Sequence, residues 1–167
     1  MDIVIRLATS NDALDMAEVH MRSWEAAYKN IIPTEFILEK NAGRPALWET
    51  ILAKENNTQY IIEKNGKTVG MLGAGISRDD DVDDDTYELM GIYLLPEYFR
   101  QGIGTQAVEF AFTKARSLDM KVMIVWLLEE NVNAKRFYEK HGFTVDGITR
   151  EENFGKILNS IRMRIDL

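Results

Sequence analysis

The stretch Leu94-Leu95-Pro96-Glu97-Tyr98-Phe99-Arg100-Gln101-Gly102-Ile103-Gly104-Thr105 constrains the fold more than any other. The strand-like run Tyr87 to Leu95 ends at a proline. Two glycines then open a segment in which Ile103, Ala107, Ala111, Ala115 and Leu118 recur at helical spacing. Glycines let backbone N–H groups come close to a ligand, and the first turn of a helix offers unpaired donors and partial positive charge. Together they make an anion site suited to phosphate, to which Arg100 adds a charge-assisted bond. The bare alternative is a tight turn and a helix start. No Lys-Ser/Thr pair follows the second glycine, so this is not a P-loop. A third glycine is missing and half the chain precedes it, so it is a weak dinucleotide fingerprint.

The remaining pattern is mixed. Ile3, Ile5 and Leu7 alternate with polar residues and predict a first strand. Leu14, Ala17, Met21, Trp24 and Tyr28 predict a helix that starts near Ser10-Asn11-Asp12 and stops before Pro33. A helical region from Thr34 to about Asn56 is broken in two at Gly43 and Pro45. Gln59 to Lys64 and Lys67 to Ser77 form a hairpin at Asn65-Gly66, because both turn residues tolerate positive φ. Val122 to Leu128 is a strand, and Ala134, Phe137, Tyr138 and His141 mark a short helix ended by Gly142. Phe143 to Ile148 and Ile157 to Ile165 are the last two strands. Hairpins followed by strand–helix–strand–helix–strand imply a mixed α/β sheet with helices on both faces. Residues 1–167 carry no linker and no repeat, and predict a single domain.

Composition excludes several classes of function. There is no cysteine, which removes disulfides, thiolate metal sites and a Cys nucleophile. The two histidines, His20 and His141, are far apart, so no metal site is expected. A net charge of −7 argues against a nucleic-acid partner and for a cationic one. No run reaches a membrane span, and the N-terminus lacks the form of a secretory signal, so a cytoplasmic protein is expected. The run Asp79-Asp80-Asp81-Val82-Asp83-Asp84-Asp85 reads as a solvated hairpin tip, with attraction of a polyamine as the alternative.

A second constellation, Asn131-Val132-Asn133-Ala134-Lys135-Arg136-Phe137-Tyr138-Glu139-Lys140-His141-Gly142-Phe143, follows the last buried strand. Asn131 is placed to cap the helix. Taken alone, Tyr138 reads more readily as a core tyrosine than as a catalyst. Residues 85–105 and 121–143 together resemble the two signature motifs of the GNAT superfamily of N-acetyltransferases. The first is a strand, a Pro-containing loop and Arg/Gln-x-x-Gly-x-Gly/Ala; the second is Asn-x-x-Ala-x-x-Phe-Tyr-x-Lys-x-Gly-Phe. Their order agrees, and the resemblance covers the whole chain. One position departs: Phe99 stands where the first motif has its Arg or Gln.

The resemblance implies a mainly antiparallel sheet of about seven strands with a splayed cleft, and acetyl-CoA as co-substrate. It implies that the pyrophosphate lies on the amides of Arg100, Gln101, Gly102, Ile103, Gly104 and Thr105. The pantetheine arm pairs with the backbone of Ile92, Tyr93 and Leu94, where Gly91 suits a bulge. Asn131 binds the same arm, and Tyr138 protonates the leaving thiolate. Glu88, one step before the splay, is the candidate base, with a polar edge or substrate-orienting role as its alternative. Trp24, Tyr28, Glu88 and Tyr93 form the acceptor pocket. Without cysteine, transfer is direct, to the primary amine of a small molecule such as a polyamine. Alternatives are an aminoglycoside, a protein N-terminus or lysine as acceptor, or an acyl-CoA-binding module without turnover. Trp126 stands where the branch that modifies ribosomal-protein N-termini has a Glu, which weighs against that branch. Pairing of Ile157 to Ile165 between protomers would give a homodimer.

Overall fold

Neighbouring residues of the central strands are buried against different helices, as a sheet covered on both faces requires. Ile61 and Met71 share a core with Met16, Ala17 and Trp48, whereas Ile62 and Leu72 share another with Ala107, Val108 and Ala111. The computed structural model describes residues 2–167. Strands β1 (Ile3–Leu7), β2 (Gln59–Lys64), β3 (Lys67–Ile76), β4 (Thr86–Leu94), β5 (Val122–Leu128), β6 (Thr144–Asn153) and β7 (Ile157–Asp166) form one seven-stranded sheet of order β1-β2-β3-β4-β5-β7-β6. Only β4 and β5 run parallel. Helices α1 (Ala13–Tyr28) and α3 (Arg44–Leu52) cover one face, and α4 (Ile103–Ser117) covers the other. Helix α2 (Thr34–Ala42) closes a smaller core of Ile32, Ile37, Leu128 and Leu158, and α5 (Val132–Lys140) follows β5. The expected mixed, mainly antiparallel α/β sheet is the observed one.

Local chemistry explains the punctuation. Asn65 and Gly66 have φ of 51° and 74° and join the paired ends Lys64 and Lys67, as a two-residue hairpin demands. Gly43 separates α2 from α3, and Pro45 occupies the first turn of α3, where its missing N–H costs nothing.

The feature that matters for function lies between β4 and β5. They pair only over Thr86–Glu88 and Val122–Ile124. Residues Gly91 to Leu94 then keep β3 on one edge and lose β5 on the other. In the β3 register Gly73 faces Gly91 while Ala74 faces Leu89, so Met90 is the extra residue of a bulge beside Gly91. The bulge bends β4 where the two strands part.

Two expectations are corrected and a third is narrowed. Strand β6 runs to Asn153, beyond Ile148, with Arg150–Asn153 paired to Ile157–Ser160. The stretch has no apolar alternation, because the cross-strand backbone ladder holds it without a buried face of its own. The aspartate run is not a free tip: Asp79 and Asp81 both bind Arg162. Strand β7 lies between β5 and β6, but β5 pairs with it only over Ser160–Asp166, so of the stretch expected to pair between protomers Ile157–Asn159 have no ladder to β5.

Candidate active site

Between β4 and α4 the backbone forms a concave row of donors. Arg100 and Gly102 both have positive φ, 58° and 78°, and α4 starts at Ile103. Such alternation turns successive N–H groups toward one point, a nest for anions. The first intrahelical bond is made by Gln106 N–H to Gly102. Among the described residues, the N–H groups from Arg100 to Thr105 meet no carbonyl and no side chain. A Cβ on Gly104 would stand 3.2 Å from the Phe137 ring, so any larger residue would press on that ring where α4 meets α5. The side chain of Gln101 turns into its own loop, accepting from Lys64 Nζ at 2.6 Å and donating to the Glu97 carbonyl at 2.8 Å. The Arg100 side chain makes no ion pair among the described residues.

Sequence reasoning missed a support for this row. His141 donates from Nδ1 to the Phe137 carbonyl at 2.7 Å, so its Nε2 accepts from the Thr105 hydroxyl at 3.2 Å. This fixes the imidazole tautomer and ties the first turn of α4 to the end of α5. The seven-residue spacing from Ala134 to His141 showed only a shared helix face.

Along β4, Ile92, Tyr93 and Leu94 pair with Leu72, Met71 and Gly70, and their other edge faces the splay. Asn131 caps α5, its Oδ1 accepting from the Ala134 N–H at 3.1 Å. Tyr138 is buried in the core with Phe143 and beside Phe137. Burial pushes its phenol well above the ordinary range, and the nearby phenols of Tyr93 and Tyr28 push it further. Tyr28 is raised chiefly by burial, then by Tyr93, and Asn131 partly offsets this. Tyr93 is raised by burial, which the nearby Trp24 indole partly offsets. The fold thus brings Tyr28, Tyr93 and Tyr138 together from α1, β4 and α5.

Glu88 is the last β4 residue paired with β5 and is 4 % exposed. Its carboxylate accepts from Arg78, Nη2 to Oε1 at 2.9 Å and backbone N–H to Oε2 at 3.3 Å. It lines a cavity of about 170 Å³ together with Trp24, Tyr28, Tyr93, Trp126 and Phe154. A wider cavity of about 670 Å³ shares Trp24, Glu152 and Phe154 with it and adds Phe36, Lys40 and Arg44. The predicted acceptor residues Trp24, Tyr28, Glu88 and Tyr93 therefore converge. Sequence reasoning missed the walls contributed by Arg78, Trp126, Arg150, Glu152 and Phe154, since it ended β6 too early and left the aspartate loop in solvent.

Comparisons with known proteins show the family and the fold. Residues 16–143 match the model of the acetyltransferase (GNAT) family. A probable N-acetyltransferase of Mycobacterium tuberculosis is 29 % identical over 153 residues, covering 89 % of this chain and 83 % of its own. An uncharacterized N-acetyltransferase of Mycobacterium bovis is 30 % identical over 141 residues, covering 81 % and 85 %. Among solved structures, the PaiA N-acetyltransferase of Thermoplasma acidophilum in complex with coenzyme A superposes with a TM-score of 0.82 at 18 % identity, covering both chains in full (100 % each). YncA of Salmonella typhimurium, solved with its cofactor acetyl-CoA, has a TM-score of 0.68 at 21 % identity, covering 100 % and 95 %.

Proposed function

The chain belongs to the GNAT family of acetyltransferases and is an acetyl-CoA-dependent acyltransferase, and we propose that its acceptor is the primary amine of a small molecule, acetylated directly. The observation that carries this reading is the parting of β4 from β5 after Glu88. It leaves one edge of the β4 backbone open between a row of unengaged amides and a pocket. The pocket is walled by side chains and about 170 Å³ in volume, which favours a small acceptor over a polypeptide segment.

The residues present fit the co-substrate. The amides of Arg100, Gln101, Gly102, Ile103, Gly104 and Thr105 would hold its pyrophosphate, with the free Arg100 side chain beside them. The open edge of Ile92, Tyr93 and Leu94 would hold the pantetheine arm, and Asn131 would lie against the same arm. When bound, acetyl-CoA supplies an activated acetyl carbon and a thiol leaving group. An amine attacks only as the free base, so its proton must leave first. Glu88 takes that proton, directly or through a water, from its place at the mouth of the splay. Its bonds to Arg78 orient the carboxylate toward the cavity. A backbone N–H near Ile92 steadies the thioester oxygen as it gains charge. Tyr138 is protonated at neutral pH as an ordinary phenol is, and is the donor to the departing sulfur in this reading, although burial raises its pKa and so weakens it as an acid. The same burial disfavours a free thiolate, whose ordinary pKa is about 8.5. A polyamine is one amine of this kind; of the aspartate run, Arg162 takes Asp79 and Asp81, while Asp80, Asp83, Asp84 and Asp85 make no ion pair among the described residues.

Thermal unfolding with and without acetyl-CoA, with NAD⁺ and ATP as controls, tests the cofactor half. A ligand at 100 times its dissociation constant adds about 2.7 kcal/mol, a rise of about 5–10 °C for a chain of this size. Thiol release with an amine panel tests the acceptor half. Stabilisation by acetyl-CoA without turnover of any amine would reduce the protein to a CoA-binding module.

A further inference from the structure

Two arginines are buried, and they differ in one respect. Arg162 is 5 % exposed and holds Asp79, Asp81 and Asp146. Arg44 is 7 % exposed, and among the described residues no carboxylate pairs with it. Its Nε and Nη2 are buried without a hydrogen-bond partner and its guanidinium lies 4.4 Å over the ring of Trp24, whose indole Nε1 is also buried, near the Tyr93 phenol but without a formed hydrogen bond. Every buried side-chain polar atom without a partner, among the described residues, belongs to Trp24, Asn41 or Arg44, and all but Asn41 Oδ1 are donors. An unpaired cation under cover is costly, and a fold keeps one where its partner comes from outside.

Resting on the acetyltransferase reading above, we propose that the acceptor is an amino acid in the broad sense, a small molecule carrying both the primary amine and a carboxylate, and that Arg44 and Trp24 take the carboxylate. Nε and Nη2 form one edge of the guanidinium, the fork that grips a carboxylate side-on. In the unliganded protein the fork lies stacked over the Trp24 ring at 4.4 Å, beside the cavity. Arg44 and Trp24 both line the larger cavity, which meets the Glu88 cavity at Trp24, so one molecule spans from the base to the cation. Lys40 adds a second cation to its wall, and the carboxylate there, Glu152, is engaged by Ser160 and Arg150. The donors are covered by their neighbours, so the anion seats as the Arg44 side chain turns its fork toward the cavity.

The test is a matched panel: the ω-amino acids from glycine to 6-aminohexanoate, L-methionine and L-phenylalanine, each beside its decarboxylated amine, with spermidine added. In thiol-release assays at saturating acetyl-CoA, kcat/KM for the best carboxylate should exceed that of its decarboxylated amine by about 100-fold. Arg44→Met should erase that preference by losing the carboxylate substrate alone, and Arg44→Lys should restore part of it. Both variants should keep the thermal shift given by acetyl-CoA, which shows that they fold. Equal use of paired amines, spermidine as the best substrate, or a preference that survives Arg44→Met would overturn the assignment. Tryptophan-fluorescence titration with the same probes reads binding without turnover. A saturable response to carboxylates alone, lost in Arg44→Met, supports the site even if no acetyl group moves. No response to any carboxylate sinks it, while acetyl-CoA binding and turnover of plain amines would leave the acetyltransferase reading standing.

Discussion

Trp126 and Arg162 face each other across β5 and β7 and close on one carboxylate oxygen: Asp79 Oδ2 accepts from the indole Nε1 at 2.8 Å and from the guanidinium Nη1 at 3.0 Å. The same guanidinium holds Asp81 through two bonds and Asp146 at 2.6 Å. A loop that looks solvated is thereby fastened over the sheet, and with it Arg78, the partner of Glu88.

Arg162→Met should therefore destabilise the fold, because it leaves partly buried carboxylates without a cation. The expected loss is about 3 kcal/mol, read from denaturant midpoints. Acceptor KM should rise as the loop carrying Arg78 loosens. An unchanged midpoint would show that the three carboxylates are hydrated rather than held.

Tyr138→Phe removes only the hydroxyl, and the ring still packs on Phe143. The expected result is a fall of about 100-fold in kcat with the acetyl-CoA dissociation constant within about twofold. Equal turnover by variant and parent would take Tyr138 out of the chemistry.

Gly102 has a φ of 78°, a conformation that a β-branched side chain avoids, and no atom lies within 4 Å of where its Cβ would be. Gly102→Val should reshape the amide row with little crowding elsewhere. Acetyl-CoA affinity should fall by about tenfold or more, measured by calorimetry, while the fold persists. Unchanged affinity would move the pyrophosphate elsewhere.

His20 accepts from Trp48 Nε1 on its Nδ1 at 3.2 Å, and burial, with Arg44 close by, lowers its pKa to about 3. Unfolding returns it to about 6.5, so the unfolded chain binds the extra proton between these values. Stability from this group is complete above pH 6.5 and drains as pH falls toward 3. The expected loss is about 2 kcal/mol between pH 7.5 and pH 5. His20→Gln should flatten that part of the curve. Asp12, held by Arg6 at about 2, loses its share only below its ordinary value and leaves this window clear. An identical slope in the variant would assign the pH response to other groups.

The fold was largely legible before any coordinate. Turn chemistry at Asn65-Gly66, the break at Gly43 and Pro45, and the apolar spacing of α1 and α4 each act within a few residues, so local pattern reports them. The polar end of β6 was not legible, because a ladder to β7 holds it and no buried face marks it. Of the site, the row Arg100–Thr105 and the helix carrying Tyr138 were readable from glycine placement and motif spacing.

By itself the sequence determined the elements, their order, and the residue types available to bind a phosphate and move a proton. Tertiary structure alone decided which charges meet. Asp79 and Arg162 are 83 residues apart, and Trp24 reaches Arg44 from another helix. Such pairings follow from sheet register and helix placement, which are set by the whole core at once. No window of neighbouring residues encodes which buried arginine finds three carboxylates and which is left with none.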